Sequence, residues 1–166
     1  MDAIILDLGK DVKGECSVEG YKDKLEVLSY SHHVALQVTN DVSATERVSG
    51  KAYVGEFSIS KYVDSSTPTL NDMCCYGKSV PTAILTIARN SGTAEKPLTQ
   101  FLEYTLSNVI ISSVSVSGGA GGKPSESLTL NFTKIKWTLS TQNADGSKEG
   151  SAAAVWDIVG NTGKGG

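Results

Sequence analysis

The amino-acid sequence predicts a single, mainly β domain with one short helix. Segments that alternate apolar and polar residues with a period of two fill most of the chain, as is typical of strands. Only residues 68–76 show helical spacing, and the 17 glycines indicate many turns. A chain of 166 residues can bury about two thirds of its unfolded surface in one core. We therefore expect one domain over residues 1–166, with a flexible tail at about 160–166.

The predicted strands follow one another with few interruptions. The segment at 98–116 exceeds the usual strand length, so we expect it to bend near 107–108 or 112–113. Residues 39–51 are polar and lack an apolar period, which predicts a long loop and a candidate contact element. The strands are predicted at 3–8, 24–38, 57–62, 80–89, 98–116, 127–140 and 153–159.

The helix has a start signal and a stop signal. Thr67 can accept a hydrogen bond from the first free backbone N–H groups, and Pro68 suits the first turn because no N–H is needed there. Gly77 can adopt the left-handed conformation that ends a helix. The helix is too short to persist alone, so we expect it to pack on the sheet. Its apolar stripe consists of Leu70, Met73 and Cys74.

Charge and hydropathy exclude two classes of partner. The net charge is −3, and the 15 basic residues are scattered without interleaved aromatic residues, so no nucleic-acid partner is expected. No apolar run approaches the roughly 20 residues of a membrane span, which predicts no membrane insertion. The N-terminus lacks the basic region and cleavage site of a secretory signal. We therefore expect no export through a cleaved signal peptide.

No catalytic residue, metal site or cofactor is predicted. His32 and His33 are the only histidines, and neighbours on a strand point to opposite faces, so they cannot bind one metal together. No G-x-S-x-G motif is present, although a Ser-His-Asp set drawn from distant positions stays open. The three cysteines, Cys16, Cys74 and Cys75, cannot all pair, which indicates a reducing compartment.

Six motifs in a fixed order carry a resemblance to a known family. The longest is FSISKYVDSSTPTLNDMCCYGKSVPTAILTIAR at 57–89. The others are DVKGE at 11–15, EVLSYS at 26–31, VIISSVSVSGG at 109–119, ESLTLNF at 126–132 and NADGSKEG at 143–150. Together they resemble the Hcp (haemolysin-coregulated protein) family, the tube protein of bacterial type VI secretion systems. Residues 39–51 and the C-terminal tail match poorly.

The resemblance implies an architecture and a set of partners. The expected fold is a compact antiparallel β-barrel of two packed sheets, with one flanking helix at about 68–76. Six copies would form a ring, and stacked rings would form a hollow tube inside a contractile sheath, capped by a spike protein. The tube would be made in the bacterial cytoplasm and ejected without a cleaved signal peptide. Small effector proteins would be held in the ring lumen.

One stretch is a candidate for the lumen wall of such a ring. Ser29, Ser31 and His33 are small or polar and are expected on the face opposite Leu28 and Tyr30. An equal alternative is that this face meets solvent or packs in a sheet. The alternative function for the whole chain is a small secreted β-sandwich that binds carbohydrate or acts as a hydrolase. That alternative needs exposed aromatic residues, and the 11 aromatic residues lie mostly on core-like strands.

Overall fold

The computed structural model describes residues 2–40, 47–48, 50–92, 94, 98–145 and 147–163. Within these residues, the helix is too short and too polar to cross a membrane. The elements in chain order are β1 (Ala3–Asp7), β2 (Leu25–Glu26), β3 (Ser29–Ser31), β4 (Val34–Ala35), β5 (Tyr53–Val54), β6 (Phe57–Tyr62), α1 (Thr67–Tyr76), β7 (Ser79–Asn90), β8 (Leu98–Ser117), β9 (Ser125–Asn131), β10 (Lys134–Gln142) and β11 (Lys148–Asp157).

The described strands form one large antiparallel sheet and one small hairpin. The large sheet has the order β2-β1-β7-β8-β9-β6-β3, and β10 and β11 extend it sideways. β9 and β10 follow one another along the same edge of β8, opposite the edge that pairs with β7. β4 and β5 pair only with each other among the described strands. The mainly β prediction with one short helix is therefore confirmed.

The large sheet curls round but does not close as a barrel. Its end strands, β2 and β3, are consecutive in the chain, and no ladder joins them in the part that the structure describes. The main chain crosses the gap instead. The Val27 N–H donates to the Ile4 carbonyl at 2.9 Å, and the Leu28 N–H donates to the Ser60 carbonyl at 2.7 Å. The expected closed barrel of two packed sheets is thus corrected to one curled sheet.

The passage of the main chain from β2 to β3 also divides the strand predicted at 24–38. Leu25 and Val27 are buried, but further along Tyr30 packs against the core while Ser29 and Ser31 are exposed. The buried positions change from odd to even because the chain changes its neighbour from β1 to β6. Within one strand the buried positions stay all odd or all even, so the prediction of a single strand at 24–38 is wrong. The structure has β2, β3 and β4 in its place.

Other strand predictions are confirmed with small changes. β8 bends at both expected places, because Asn108 has a φ of 52° and the β8–β9 register shifts between Ile111 and Ser113. The strand predicted at 127–140 is divided into β9 and β10. β11 begins at Lys148, before the predicted start at residue 153. Its end is joined to Thr162 by backbone hydrogen bonds, and residues 164–166 lie outside the described part.

The helix begins one residue earlier than predicted. Ser66 is the N-cap residue and Thr67 is already helical, so the predicted capping role of Thr67 is wrong. Gly77 has a φ of 63° and ends the helix as expected. Leu70 and Met73 are buried in the core, which docks the helix on the sheet.

The described cysteines are free thiols. Cys16 is buried, Cys74 packs against the core and Cys75 is exposed on the helix. Burial raises the pKa of the Cys16 thiol, and the carboxylate of Glu26 raises it further. The Cys16 thiol therefore lacks the lowered pKa of an activated nucleophile.

A buried ion pair lies where β6, β9 and the start of α1 meet. Lys61 and Glu126 are direct cross-strand partners, and their side chains are fully buried. The Lys61 ammonium donates hydrogen bonds to the Glu126 carboxylate, to Asp64 Oδ1 at 3.0 Å and to the Tyr62 carbonyl at 2.9 Å. Thr67 Oγ1 donates to Glu126 Oε1 at 3.1 Å. All three ammonium donors are therefore satisfied.

Asp64 extends this network to the helix N-terminus. Its Oδ1 accepts hydrogen bonds from the backbone N–H of Ser66, at 2.9 Å, and from the Ser66 hydroxyl. Burial raises the pKa of the Asp64 carboxyl, but the hydrogen bonds from Ser66 and Lys61 outweigh burial and hold this pKa below its usual value. Asp64 therefore stays ionised at neutral pH and compensates the buried ammonium.

We predict that Lys61→Met lowers the free energy of unfolding by about 3–5 kcal/mol, because Glu126 is then a buried charge without its main partner. Urea denaturation at one fixed protein concentration measures this change. Lys78→Met is the matched control, since Lys78 and Asp11 form an exposed pair at 3.3 Å. Lys78→Met should lower the free energy of unfolding by at most about 1 kcal/mol.

The double variant Lys61→Met/Glu126→Leu removes both buried charges and recovers most of the lost stability. Equal effects of Lys61→Met and Lys78→Met would contradict a structural role for the buried pair.

Candidate functional site

The outer side of β3, β6, β9 and the second half of β8 carries two rows of hydroxyl side chains. The rows alternate with buried residues such as Ile59 and Leu128, which point into the core. Strand register aligns the hydroxyl residues across the four strands. One row is Ser31, Ser58, Thr129 and Ser113, and the other is Ser29, Ser60, Ser127 and Ser115. We call these eight residues the hydroxyl face.

The hydroxyl face is shallow, polar and uncharged. Its centre is a depression of about 260 Å³. Ser113 Oγ lies 2.6 Å from Thr129 Oγ1, so these two hydroxyls share a hydrogen bond. Each serine hydroxyl can donate one hydrogen bond and accept two, which leaves capacity for water or a bound chain. The face can therefore hold polar surfaces without selecting a charge.

Charged residues flank the two rows further along the strands. Beside the row that contains Ser58, Asn131 donates a hydrogen bond to Glu56 Oε1 at 3.3 Å. Beside the row that contains Ser60, the Lys123 ammonium lies 4.9 Å from the centre of the Tyr62 ring. The Glu56 carboxylate and the Lys123 ammonium thus lie on either side of the uncharged hydroxyl face.

A hairpin projects from the sheet between β3 and β6. We call the described residues between 34 and 54 the arm; residues 41–46 and 49 of the predicted loop at 39–51 lie outside the described part and are not included. β4 pairs with β5, and the Thr39 N–H donates to the Arg47 carbonyl at 2.9 Å, so the described arm is a paired hairpin. Its exposed apolar side chains are Val34, Leu36, Val38, Val48 and Tyr53.

A groove of about 510 Å³ lies where the arm leaves the sheet. His32 points inward and stacks on Phe57, with ring centres 5.2 Å apart and an angle of 13°. His33 is exposed and lies against Tyr53, with ring centres 5.5 Å apart. Burial lowers the pKa of His32. The two histidine rings therefore point in different directions, as alternation along the chain predicts.

The predicted site residues line two adjoining depressions. Ser29 and Ser31 belong to the hydroxyl face, and His33 lies in the groove at the base of the arm, which Ser31 also lines. They do not share a face with Leu25 and Val27, because the buried positions change along this segment. In the described residues, no group of three or more His, Cys, Asp or Glu side chains is arranged to hold a metal ion.

Sequence reasoning missed the larger part of the hydroxyl face. β6, β8 and β9 contribute six of its eight residues. The alternating serines of FSISKY and SSVSVS were a usable signal, because a period of two places them on one side of each strand. Their alignment into rows depends on strand register, which the sequence does not show.

Comparison with known proteins identifies the family. The chain matches the family described as "Type VI secretion system effector, Hcp" over residues 6–139. It is 35% identical over 151 residues to Protein hcp1 of Pseudomonas aeruginosa, covering 89% of this chain and 90% of that protein. The chain belongs to the Hcp family. The resemblance found in the sequence motifs is thus confirmed.

Solved Hcp structures share the fold. A structure described as a type six secretion system protein superposes with a TM-score of 0.90 at 24% identity, covering 98% of this chain and 99% of that one. Hcp1 from Salmonella typhimurium superposes with a TM-score of 0.78 at 25% identity, covering 96% and 97% of the two chains. As a member of the Hcp family, the chain is a type VI secretion tube protein and a structural component of that system. These matches favour the tube protein over a carbohydrate-binding or hydrolase domain.

We predict that the hydroxyl face contributes little to the stability of this Hcp chain. Ser127→Ala should change the free energy of unfolding by less than about 0.5 kcal/mol, because the side chain is exposed. Leu128→Ala, at the next position, should cost about 2–5 kcal/mol because Leu128 is fully buried. Urea denaturation of both variants measures the contrast. A loss above 2 kcal/mol for Ser127→Ala would assign the face a structural role.

Proposed function

We propose that six copies of this Hcp chain close into a ring, that the rings stack into a hollow tube, and that the hydroxyl face lines the lumen. Ser29 and Ser31 lie on the lumen wall, and His33 lies at its edge. The observation that carries this proposal is the hydroxyl face itself, because four adjacent strands present small uncharged groups on one side. Such a wall stays hydrated and lets a polar protein pass.

The lumen wall suits small effector proteins as cargo. Hydroxyl groups can exchange hydrogen bonds with water for hydrogen bonds with a protein surface at a small net gain of about 0.5–1.5 kcal/mol each. Charged walls would select cargo of opposite charge. A neutral wall therefore holds different effectors loosely, as a receptor or chaperone must when the cargo is later released.

Ring closure needs two different patches on each copy, since a ring is a head-to-tail assembly. Within the described part of the chain, β3 pairs with no strand but β6, and β11 pairs with no strand but β10, although Asp157 at its end also bridges to Thr162. β3 and the part of β11 before Asp157 thus leave one backbone edge available. Ser151 and its neighbours Ala152–Ala154 on β11 are small and exposed, so another backbone can approach closely. These two edges are our candidates for the contact within a ring.

Stacking of rings requires a further patch, for which the arm is the candidate. Its exposed Val, Leu and Tyr side chains form an apolar surface that a monomer would leave in water. We place the arm against the next ring of the same protein. The other expected partners are the contractile sheath around the tube and the spike at its tip. No enzymatic role, cofactor or nucleic acid is part of this proposal.

The proposed export route follows from the tube itself. The tube is assembled in the bacterial cytoplasm and ejected by the type VI system, so each copy leaves the cell as part of the tube. A cleaved signal peptide is not needed for this route.

We predict that the purified protein forms rings of six. Light scattering coupled to size-exclusion chromatography should give a mass of about six times 17.4 kDa, and negative-stain images should show rings with an open centre. A monomer without rings at every concentration tested would overturn the proposed assembly.

We also predict that Ser31→Gln reduces binding of an effector encoded with this system, because the longer side chain fills the depression of the hydroxyl face. Ser79→Gln is the matched control, since Ser79 is an exposed strand serine outside this face. Co-purification of the effector with each variant measures binding, after both variants are shown to form rings. Unchanged binding to Ser31→Gln would contradict the lumen assignment of this residue.

A further inference from the structure

His32 holds both ends of the arm at one point. The residue precedes β4, and its ring donates a hydrogen bond to the backbone of Gly55, which follows β5. The Gly55 N–H donates in turn to the His33 carbonyl at 3.0 Å. Gly55 lies so close to the His33 ring that an added Cβ would be 2.5 Å from Cε1. The two strands of the arm are therefore joined here by tight contacts.

The surroundings of the His32 ring fit only its neutral form. The ring stacks on Phe57 and lies 5.8 Å from the centre of the Phe132 ring. Its Nε2 atom is buried and has no hydrogen-bond partner among the described residues. A proton on this nitrogen would create a buried, charged N–H group without an acceptor, which is costly. A positive charge on the ring therefore disfavours the stacked position.

Few titratable groups face this ring. His33, Glu56 and Tyr53 line the same groove. Phe57 and Phe132, which pack directly on the ring, carry no charge. Burial lowers the pKa of His32, and the neighbouring His33 lowers it further, while the hydrogen bond to Gly55 acts in the opposite direction. The exposed Glu56 carboxylate can receive the imidazolium once the ring has moved outward.

We propose that His32 is a proton-sensitive latch: the neutral ring holds the arm on the sheet, and a proton on the ring releases it. This response to pH is additional to the proposed role of the chain as a tube subunit. One consequence rests on the proposed function, in which the arm joins adjacent rings. Acid would then weaken the contact between stacked rings. An acidic compartment would then favour disassembly of the tube and release of its cargo.

The direction of the pH effect follows from the two states of the ring. The released ring titrates near the ordinary value of about 6.5, and the latched ring titrates lower. Above about pH 6.5 both states are neutral, so pH has no effect. Below it only the released ring binds the proton, and each pH unit shifts the equilibrium about tenfold toward release. The effect stops at the lower pKa of the latched ring.

Hydrogen–deuterium exchange between pH 7.5 and 5 tests the latch on the full chain. Exchange rates are first corrected for the intrinsic effect of pH, and amides of β4 and β5 are compared with those of β7. We expect protection of the β4 and β5 amides to fall below pH 6.5, by at most about tenfold per pH unit, with β7 unchanged. Constant protection in the arm, or equal loss in β7, would overturn the proposal.

Two variants assign the effect to His32. His32→Phe keeps an aromatic ring in the stack and cannot be protonated, so its arm should keep the same protection at every pH. His33→Asn removes the neighbouring exposed histidine and should retain the pH-dependent loss. The same loss in His32→Phe as in the natural sequence would overturn the proposal.

An NMR titration of the His32 imidazole in the natural sequence covers the case in which His32→Phe does not fold. We expect the pKa of His32 to lie below the ordinary value of about 6.5, and a pKa at or above that value would overturn the latch. Negative-stain images at pH 7.5 report separately on rings. Absent rings would overturn the tube proposal and leave the exchange result on the latch intact.

Discussion

The buried pair of Lys61 and Glu126 is the constraint on which the surrounding structure depends. Two charges inside a β core are costly to desolvate, and from the turn that begins α1 Asp64 accepts a hydrogen bond from the ammonium while Thr67 donates one to Glu126 Oε1. Glu126 Oε2 has no hydrogen-bond partner among the described residues. The pair therefore fixes the β6–β9 register and the position of the helix start together. Because side chains alternate along a strand, burial of Lys61 also turns Ser58 and Ser60 outward onto the hydroxyl face. The core network and the candidate lumen wall are two sides of the same strand pair.

Local patterns in the sequence are enough to predict those helices and strands that keep the same neighbouring strands along their whole length. The alternation of β6 places Lys61 on the same face as Phe57 and Ile59, and Gly77 marks the helix end. Burial of Lys61 was not predictable from this pattern, since its partner Glu126 lies 65 residues further along the chain. The division of the strand predicted at 24–38 has the same origin. The division depends on which strand pairs with each part of this segment, and the pairing is determined only in the folded sheet.

The candidate site was predicted in part. The small polar side chains of Ser29 and Ser31 predict a lumen wall, and the structure places both on a face to which three other strands contribute. Alternation along a strand predicts His33 on the same face, but the chain turns into the arm after β3 and His33 lies in the groove at the base of the arm. The role of His32 had no sequence signal at all, because it arises from contacts with Phe57, Phe132 and Gly55 that lie far along the chain. Membership of the Hcp family, in contrast, was visible in the order of short motifs.

The central claim is that the hydroxyl face of each copy lines the lumen of a ring. A cryo-electron microscopy map of the assembled protein at neutral pH tests it most directly, because the strands of each copy can then be placed relative to the ring axis. The claim predicts a six-fold ring in which Ser29, Ser31 and the serines of β6 point toward the axis and the arms reach the next ring. A ring with these serines on its outer surface, or buried between copies, would contradict it.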